Sequence, residues 1–374
     1  MSTFFRKRGF RVISGYFFFF LFLGFEPLSA SATASSAASK ASIVAFSSSV
    51  APASLMLKGK IGGKLSATAR GRGATMQDHH MSIDKRYLPQ IVDRQISADG
   101  ARKYVMRLHD GALVEAVGMP RGGADGANKL TVCFSTQSGC AMGCAFCVTG
   151  KLGLTRNLEP AEMVWQAALV ADDFGISADS VLAMGQGEPL ANYAALAEAL
   201  GFMSSAQGFG IEQRNLVVST CGIPEGIRAF AEDGVPAALA VSLHAARQEL
   251  RDELMPGVRA YTLERLRREL VRYNEVTGKH VYVHYLMLDS VNDQDADFEA
   301  LAEFCRGLDA RVVLMHFNRT DDVPFAPSAF GRMFMWCIEL NKRGIPVRIN
   351  ESRGADVNAG CGQLAGTMSR KMQQ

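Results

Sequence analysis

Between residue 126 and the C-terminus, short apolar runs alternate with longer segments whose apolar residues recur at helical spacing. The β-type runs lie at 131–136, 180–184, 215–219, 237–242, 281–287 and 311–316, and a last short strand fits 345–349. The helical patterns lie near 159–173, 192–205, 224–232, 262–276, 295–307 and 327–342. Strand followed by helix, repeated six times, predicts an α/β protein with a parallel sheet and crossover helices. Ahead of it, residues 95–118 alternate around an Asp110-Gly111 turn, which predicts a small antiparallel hairpin. A partial six-unit (βα) barrel and an open doubly wound sheet both satisfy this pattern. Either places its chemistry at the carboxyl ends of the strands.

Composition changes this picture little, and charge changes it more. The chain of 374 residues is 48% hydrophobic, 21% charged and 9% aromatic, which excludes wholesale disorder, collagen and a many-pass membrane protein. Its formal net charge of +3 hints at a nucleic-acid partner. The charge is unevenly placed, however. Residues 1–78 hold ten basic groups and two acids, a net of +8, and the rest of the chain carries a net of −5. The basic excess therefore belongs to the N-terminal segment.

That segment reads as a targeting leader. Arg6, Lys7, Arg8 and Arg11 precede an apolar run from Tyr16 to Phe25, too short to span ~30 Å of hydrocarbon. Small residues at 28–32 suit signal-peptidase cleavage. Residues 29–75 are rich in Ser, Ala and Thr and free of acids, a composition that does not build a core. A signal peptide followed by such a stretch predicts delivery to a plastid surrounded by extra membranes. A mitochondrial presequence, or a true start at Met76 or Met81 and a cytoplasmic protein, are the alternatives. The expected organisation is a leader over 1–80, an extension with the hairpin over 81–125, and a core domain over 126–366.

Eight cysteines are present, and a disulfide framework is not expected in a chain this long with an ordinary core. Cys140, Cys144 and Cys147 form C-x3-C-x2-C directly after the first strand, with no fourth cysteine close in sequence. Three thiolates on one loop can hold three irons of a [4Fe–4S] cube and leave the fourth open. The alternative is structural zinc, which normally takes a fourth Cys or His. Gly187-Glu188-Pro189 follows the second strand; glycine admits close backbone approach, and a carboxylate can receive an ammonium group.

The segment from Cys133 through Cys140 to Cys147-Val-Thr-Gly and on to Arg156-Asn157 resembles the RlmN/Cfr family of radical S-adenosylmethionine (SAM) RNA methyltransferases. The resemblance continues through Met184-Gly-Gln-Gly187-Glu188-Pro189, Ser219-Thr-Cys-Gly, Ser242-Leu243-His244-Ala, Met287-Leu-Asp-Ser-Val-Asn292 and the Gly-rich loop around Cys361, covering about 93–366. It implies a partial (βα)6 barrel with a C-terminal loop carrying a catalytic cysteine. It further implies a [4Fe–4S] cluster on Cys140, Cys144 and Cys147, two SAM molecules per turnover, and SAM contacts from Gly187, Glu188, Ser219, Ser242, Leu243, His244 and Asn318. In this family Cys361 would carry the methyl group as a nucleophile. Cys133 would resolve the covalent RNA adduct by a disulfide with Cys361, and Glu115 would accept a proton; a solvated strand carboxylate is the alternative for Glu115. Cys221, Cys305 and Cys337 match no family ligand and are expected to be core or surface thiols.

The implied reaction is methylation of position 2 of adenine in 23S-type rRNA and in tRNA. Methylation of C8, a radical SAM enzyme of another class such as a glycyl-radical activase, and a non-catalytic RNA- or metal-binding protein are the alternatives. Implied partners are the RNA and a one-electron donor such as flavodoxin or ferredoxin, with no membrane for the mature form and a monomeric state. Three departures stand out. The family's helical accessory domain is not evident before the cysteine loop, Arg319 follows Asn318 where Pro is common, and Gln186 and Cys221 interrupt matching motifs. RNA contacts then fall to a local basic patch, with Lys151, Arg156, Arg319, Arg348 and Arg353 as candidates.

Overall fold

The computed structural model describes residues 83–122, 128–350, 352–360 and 362–364. The leader expected over 1–80 and the Cys361 position lie outside the described residues. No described helix is long and apolar enough to cross a membrane.

Three antiparallel strands come first: β1 (Gln90–Ile96), β2 (Arg102–Arg107) and β3 (Leu113–Gly122). The chain continues through β4 (Asn128–Phe134), β5 (Gln137–Gly139), β6 (Leu154–Asn157), α1 (Pro160–Phe174), β7 (Ser180–Ala183), α2 (Tyr193–Ser204), β8 (Leu216–Thr220), α3 (Pro224–Glu232) and β9 (Ala238–Ser242). Next are α4 (Gln248–Leu254), α5 (Leu263–Thr277), β10 (Val281–Met287), α6 (Asp295–Cys305), β11 (Ala310–His316), α7 (Phe330–Lys342) and β12 (Val347–Asn350). Ten strands form one sheet in the order β1-β2-β3-β4-β7-β8-β9-β10-β11-β12, and β5 pairs with β6 in a small second sheet. The seven strands from β4 onward run parallel, as the alternation predicts. The large sheet does not close, because β1 and β12 are its edges.

Local chemistry marks the helix ends. Glu159 and Glu162 form a reciprocal capping box ahead of α1, with Pro160 in its first turn. Thr262 caps α5 through the Arg265 amide, and Gly278 ends it in the left-handed conformation. The buried faces of these helices and of the parallel strands form the main core, with Phe134, Val181, Val218, Leu239, Val283 and Leu314 among its inner strand residues.

Two features differ from the sequence expectation. The hairpin is a three-stranded meander, and β3 pairs antiparallel with β4, so it extends the main sheet. Its first strand has little alternation, with Ile91, Val92 and Asp93 all half-buried, which hid it from a period-2 search. The short elements β5, β6 and α4 are likewise too brief for periodicity to mark.

Candidate active site

The cysteine loop is clasped at its base. β5 and β6 flank it, and the Cys140 amide donates to the Gly153 carbonyl at 2.8 Å. From the far side the turn after α4 holds it by two backbone bonds. Ala145 N–H donates to Leu254 O at 2.9 Å, and Gly257 N–H donates to Met142 O at 2.9 Å. A Cβ on Gly257 would stand 2.5 Å from Met142 Cα, so only glycine lets the two chains pass.

One cleft at the carboxyl ends of the strands is lined by Cys140, Cys144 and Cys147, and also by Gly187, Glu188, Ser219, Ser242 and His244. The motifs that sequence placed after separate strands therefore share one cavity. Among the described residues no three His, Cys, Asp or Glu side chains converge closely enough to hold a single metal ion. The three thiols line this one cavity, and three thiolates can hold three irons of a [4Fe–4S] cube and leave the fourth open. Burial pushes all three thiols up, Cys140 to about 12, with neighbouring thiol charge adding to the effect for Cys140 and Cys144. As thiolates they need a cationic group in the cavity to offset desolvation, and iron would supply it. The residues present fit a [4Fe–4S] cluster.

Glu188 is buried and fully oriented. Its Oε1 accepts from the Thr220 hydroxyl at 2.6 Å and the Leu190 amide at 2.9 Å, and its Oε2 accepts from the Cys221 amide at 2.7 Å. Burial raises its pKa, while these hydrogen bonds pull the other way. A carboxylate has about four acceptor sites, so three donors leave room for one more, such as an ammonium group. Beside it Gly187 holds φ +104°, and a Cβ there would meet Gln137 N at 2.8 Å.

His244 has a left-handed backbone, φ 54°, unusual for a non-glycine residue. Its surroundings impose it: Asn292 Nδ2 donates to His244 O at 2.7 Å, and the Leu286 amide donates to His244 Nδ1 at 3.0 Å. Phe146 of the cysteine loop packs edge-on against the imidazole, with centroids 4.9 Å apart. Burial lowers the pKa of His244 to about 3 and that of neighbouring His284 to about 4.

Leu243 and Asn318 are not among the cleft residues. Leu243 is buried in the main core, and its amide donates to His284 O at 3.0 Å. Asn318 instead supports the C-terminal loop: its Nδ2 donates to the Ser352 hydroxyl, and its carbonyl accepts from Gln363 Nε2 at 3.2 Å.

Register places the other two predicted residues. Val117 of β3 pairs with Cys133 of β4, which carries Glu115 to the carboxyl end of β4, where Ser135 Oγ donates to the Glu115 carbonyl at 2.6 Å. The Glu115 side chain is fully buried beside Lys103, with Nζ 3.6 Å from Oε2, so the solvated-carboxylate reading fails. Cys133 lies in a small apolar cluster with Ala359 and Leu364, which flank the Cys361 position. The same flanks bind the cysteine loop: Val148 N–H donates to Gly362 O at 2.7 Å, and the Thr149 hydroxyl donates to Leu364 O at 2.7 Å. Gly362 itself lines the cleft.

Sequence reasoning missed Cys221 and His284, which also line the cleft. Cys221 is a buried core thiol as expected, and its backbone amide also anchors Glu188; its place directly after β8 was the available signal. His284 lies within β10, where periodicity marks only burial. Cys305 is a core thiol as expected. Among the basic candidates, Arg156 is a structural clamp: Nε donates to Asp110 at 2.6 Å, and Nη1 and Nη2 donate to buried Glu162 at 2.7 and 2.8 Å. Lys151 Nζ donates to the Asp322 carbonyl, and the Arg348 guanidinium stands 5.9 Å from the Tyr282 ring centroid.

Comparison with known proteins agrees with this geometry. Residues 134–305 match the model of the Radical SAM superfamily. The chain is 40% identical over 286 residues to a probable dual-specificity RNA methyltransferase RlmN from Synechococcus elongatus, covering 75% of this chain and 77% of that protein. A protein with the same description from Nostoc punctiforme is 40% identical over 274 residues, covering 72% and 75%. The crystal structure of a radical SAM methyltransferase from Sphaerobacter thermophilus superposes with a TM-score of 0.70 at 37% identity, covering 75% of this chain and 82% of that one. With cofactors of the kind its cleft fits, a [4Fe–4S] cluster and SAM, the chain belongs to the RlmN family of radical SAM RNA methyltransferases.

Proposed function

We propose that the protein methylates C2 of adenine in rRNA and tRNA. One observation carries the reading: the cysteine triad, Gly187-Glu188 and the flanks of Cys361 meet at one cleft, in a chain 40% identical to relatives described as dual-specificity RNA methyltransferases. When bound, the cluster supplies the one-electron chemistry that an unactivated adenine carbon needs. Cys140, Cys144 and Cys147 hold it, and Glu188, Ser219, Ser242 and His244 orient SAM. Cys361 is the methyl carrier; its neighbour Gly362 lines the cleft, and Gly362 and Leu364 bond to the cysteine loop. Cys133, within the apolar cluster that includes Ala359 and Leu364, is the resolving thiol. Glu115, buried at the end of β4, takes up the proton. The RlmN description of the relatives favours C2 over C8.

The test is product analysis. Anaerobically reconstituted enzyme is incubated with SAM, a reductant and unmodified rRNA or tRNA, and the digested RNA is examined by mass spectrometry. We expect 2-methyladenosine from native protein and none from Cys361→Ala, which should still load iron. Formation of 8-methyladenosine, or of neither nucleoside, would overturn the proposal. The plastid destination of residues 1–80 belongs to the same proposal and rests on the basic stretch, the short apolar run and the acid-free Ser-rich segment that follows it. A fluorescent fusion of that segment found outside plastids would remove it.

A further inference from the structure

Arg251, in the middle of α4, is the largest fully buried side chain among the described residues. Only one of its three guanidinium nitrogens is engaged: Nη2 donates to the Cys221 carbonyl at 2.6 Å. Nε and Nη1 are buried with no hydrogen-bond partner among the described residues. An arginine does not escape such a position by losing its proton, so the charge stays and needs compensation. Among the described residues Arg251 forms no salt bridge, whereas Arg228, Arg247 and Arg343 each pair with an acid, and the neighbouring carboxylate of Asp252 acts on it less than the nearby thiols do. Its charge acts on the thiols of Cys221 and Cys144, favouring their thiolate forms. Moreover, α4 and the turn after it hold the cysteine loop at Ala145 and Met142, so Arg251 sits in the brace of the cluster site.

We propose that Arg251 is a positioning residue whose fixed charge compensates the iron–sulfur cluster and raises its one-electron reduction potential. The inference rests on the cysteine triad holding a [4Fe–4S] cluster. With three thiolates the oxidised cluster bears a net charge of −1, and uptake of one electron makes it −2. A cation held nearby in a low-dielectric site favours the more negative state, and net charge is among the protein's means of setting such potentials. It also explains why a buried, half-bonded guanidinium is tolerated: its partner is the cofactor.

The experiment compares native protein, Arg251→Lys and Arg251→Met after anaerobic reconstitution, without RNA or SAM. Iron and sulfide are counted per chain, and the reduced cluster is followed by EPR through a potentiometric titration. At the potential where the native cluster is half reduced, the reduced-to-oxidised ratio in Arg251→Met should fall roughly ten-fold, equivalent to 59 mV for one electron. Arg251→Lys, which keeps the charge, should lie nearer to native. Full loading of Arg251→Met with the native midpoint would overturn the proposal. Should Arg251→Met fail to load, melting of the cluster-free proteins decides. A melting temperature at or above that of native supports compensation, since an unpaired buried charge has been removed; a lower one makes Arg251 a structural brace and overturns it. Native protein that binds no iron would instead refute the cluster assignment itself.

Discussion

Acid should loosen this protein well above the range where carboxylates titrate. His244 and His284 are buried, and burial lowers their pKa values to about 3 and about 4. In the unfolded chain both would titrate near ~6.5. Below that value the unfolded state binds more protons than the folded one, so stability falls with pH. The contribution is complete above about pH 6.5 and is lost progressively as pH drops toward the folded values. Between pH 7 and pH 5 each histidine costs about 2 kcal/mol, and the pair about 4 kcal/mol. At a few degrees per kcal/mol for a domain of this size, that lowers the melting temperature by roughly 10 °C. Glu188 acts in the opposite sense, because a carboxyl whose pKa is raised by burial gains stability as pH falls, and it trims this total. Replacing His284 by Gln isolates the histidine effect. Thermal melts of cluster-free native protein and His284→Gln at pH 7, 6 and 5 measure it. The variant should lose about 2 kcal/mol less than native over that span. Parallel curves for the two proteins would refute the reasoning.

Other perturbations test single contacts. Gly257→Ala places a methyl group 2.5 Å from Met142 Cα, so the cysteine loop must shift; iron per chain should drop severalfold while circular dichroism stays native, and full loading would count against the brace. Glu188→Gln keeps the shape but leaves buried donors among Thr220, Leu190 and Cys221 without an acceptor, costing about 1–3 kcal/mol; SAM binding by equilibrium dialysis should weaken, and unchanged affinity would contradict its role. Arg156→Ala leaves buried Glu162 with the Glu159 amide and His109 but no guanidinium and should destabilise the fold by about 3 kcal/mol in denaturant melts; an unchanged midpoint accompanied by lost RNA binding would restore it as an RNA contact.

Much of the site was legible because its information is local. The spacing of Cys140, Cys144 and Cys147 lies within one loop, and Gly187-Glu188, Ser219 and Ser242 each sit at or just after a strand in a pattern that announces which end of the sheet carries chemistry. The order of strands and helices follows from hydrophobic period in the same way, since burial of one face is written residue by residue. The brief elements escaped for the converse reason: α4 and β5 are shorter than the window that period needs.

Which residues meet across the fold was decided only in three dimensions. Arg156 reads as a free basic side chain until β6 brings it beside α1 and Asp110. Cys221 reads as a spare thiol until the β7–β8 pairing sets its amide on Glu188, 33 residues earlier. For Glu115 the sequence leaves a solvated strand carboxylate open beside the proton-acceptor role, until the Val117–Cys133 register carries it inside, next to Lys103. Arg251 stands among charged residues, Arg247 to Glu253, and nothing in that run singles it out, yet it is the one turned fully inward. Periodicity states that a side chain is buried or exposed; its partners depend on strand order, register and helix packing, which the chain settles only when distant segments close on one core.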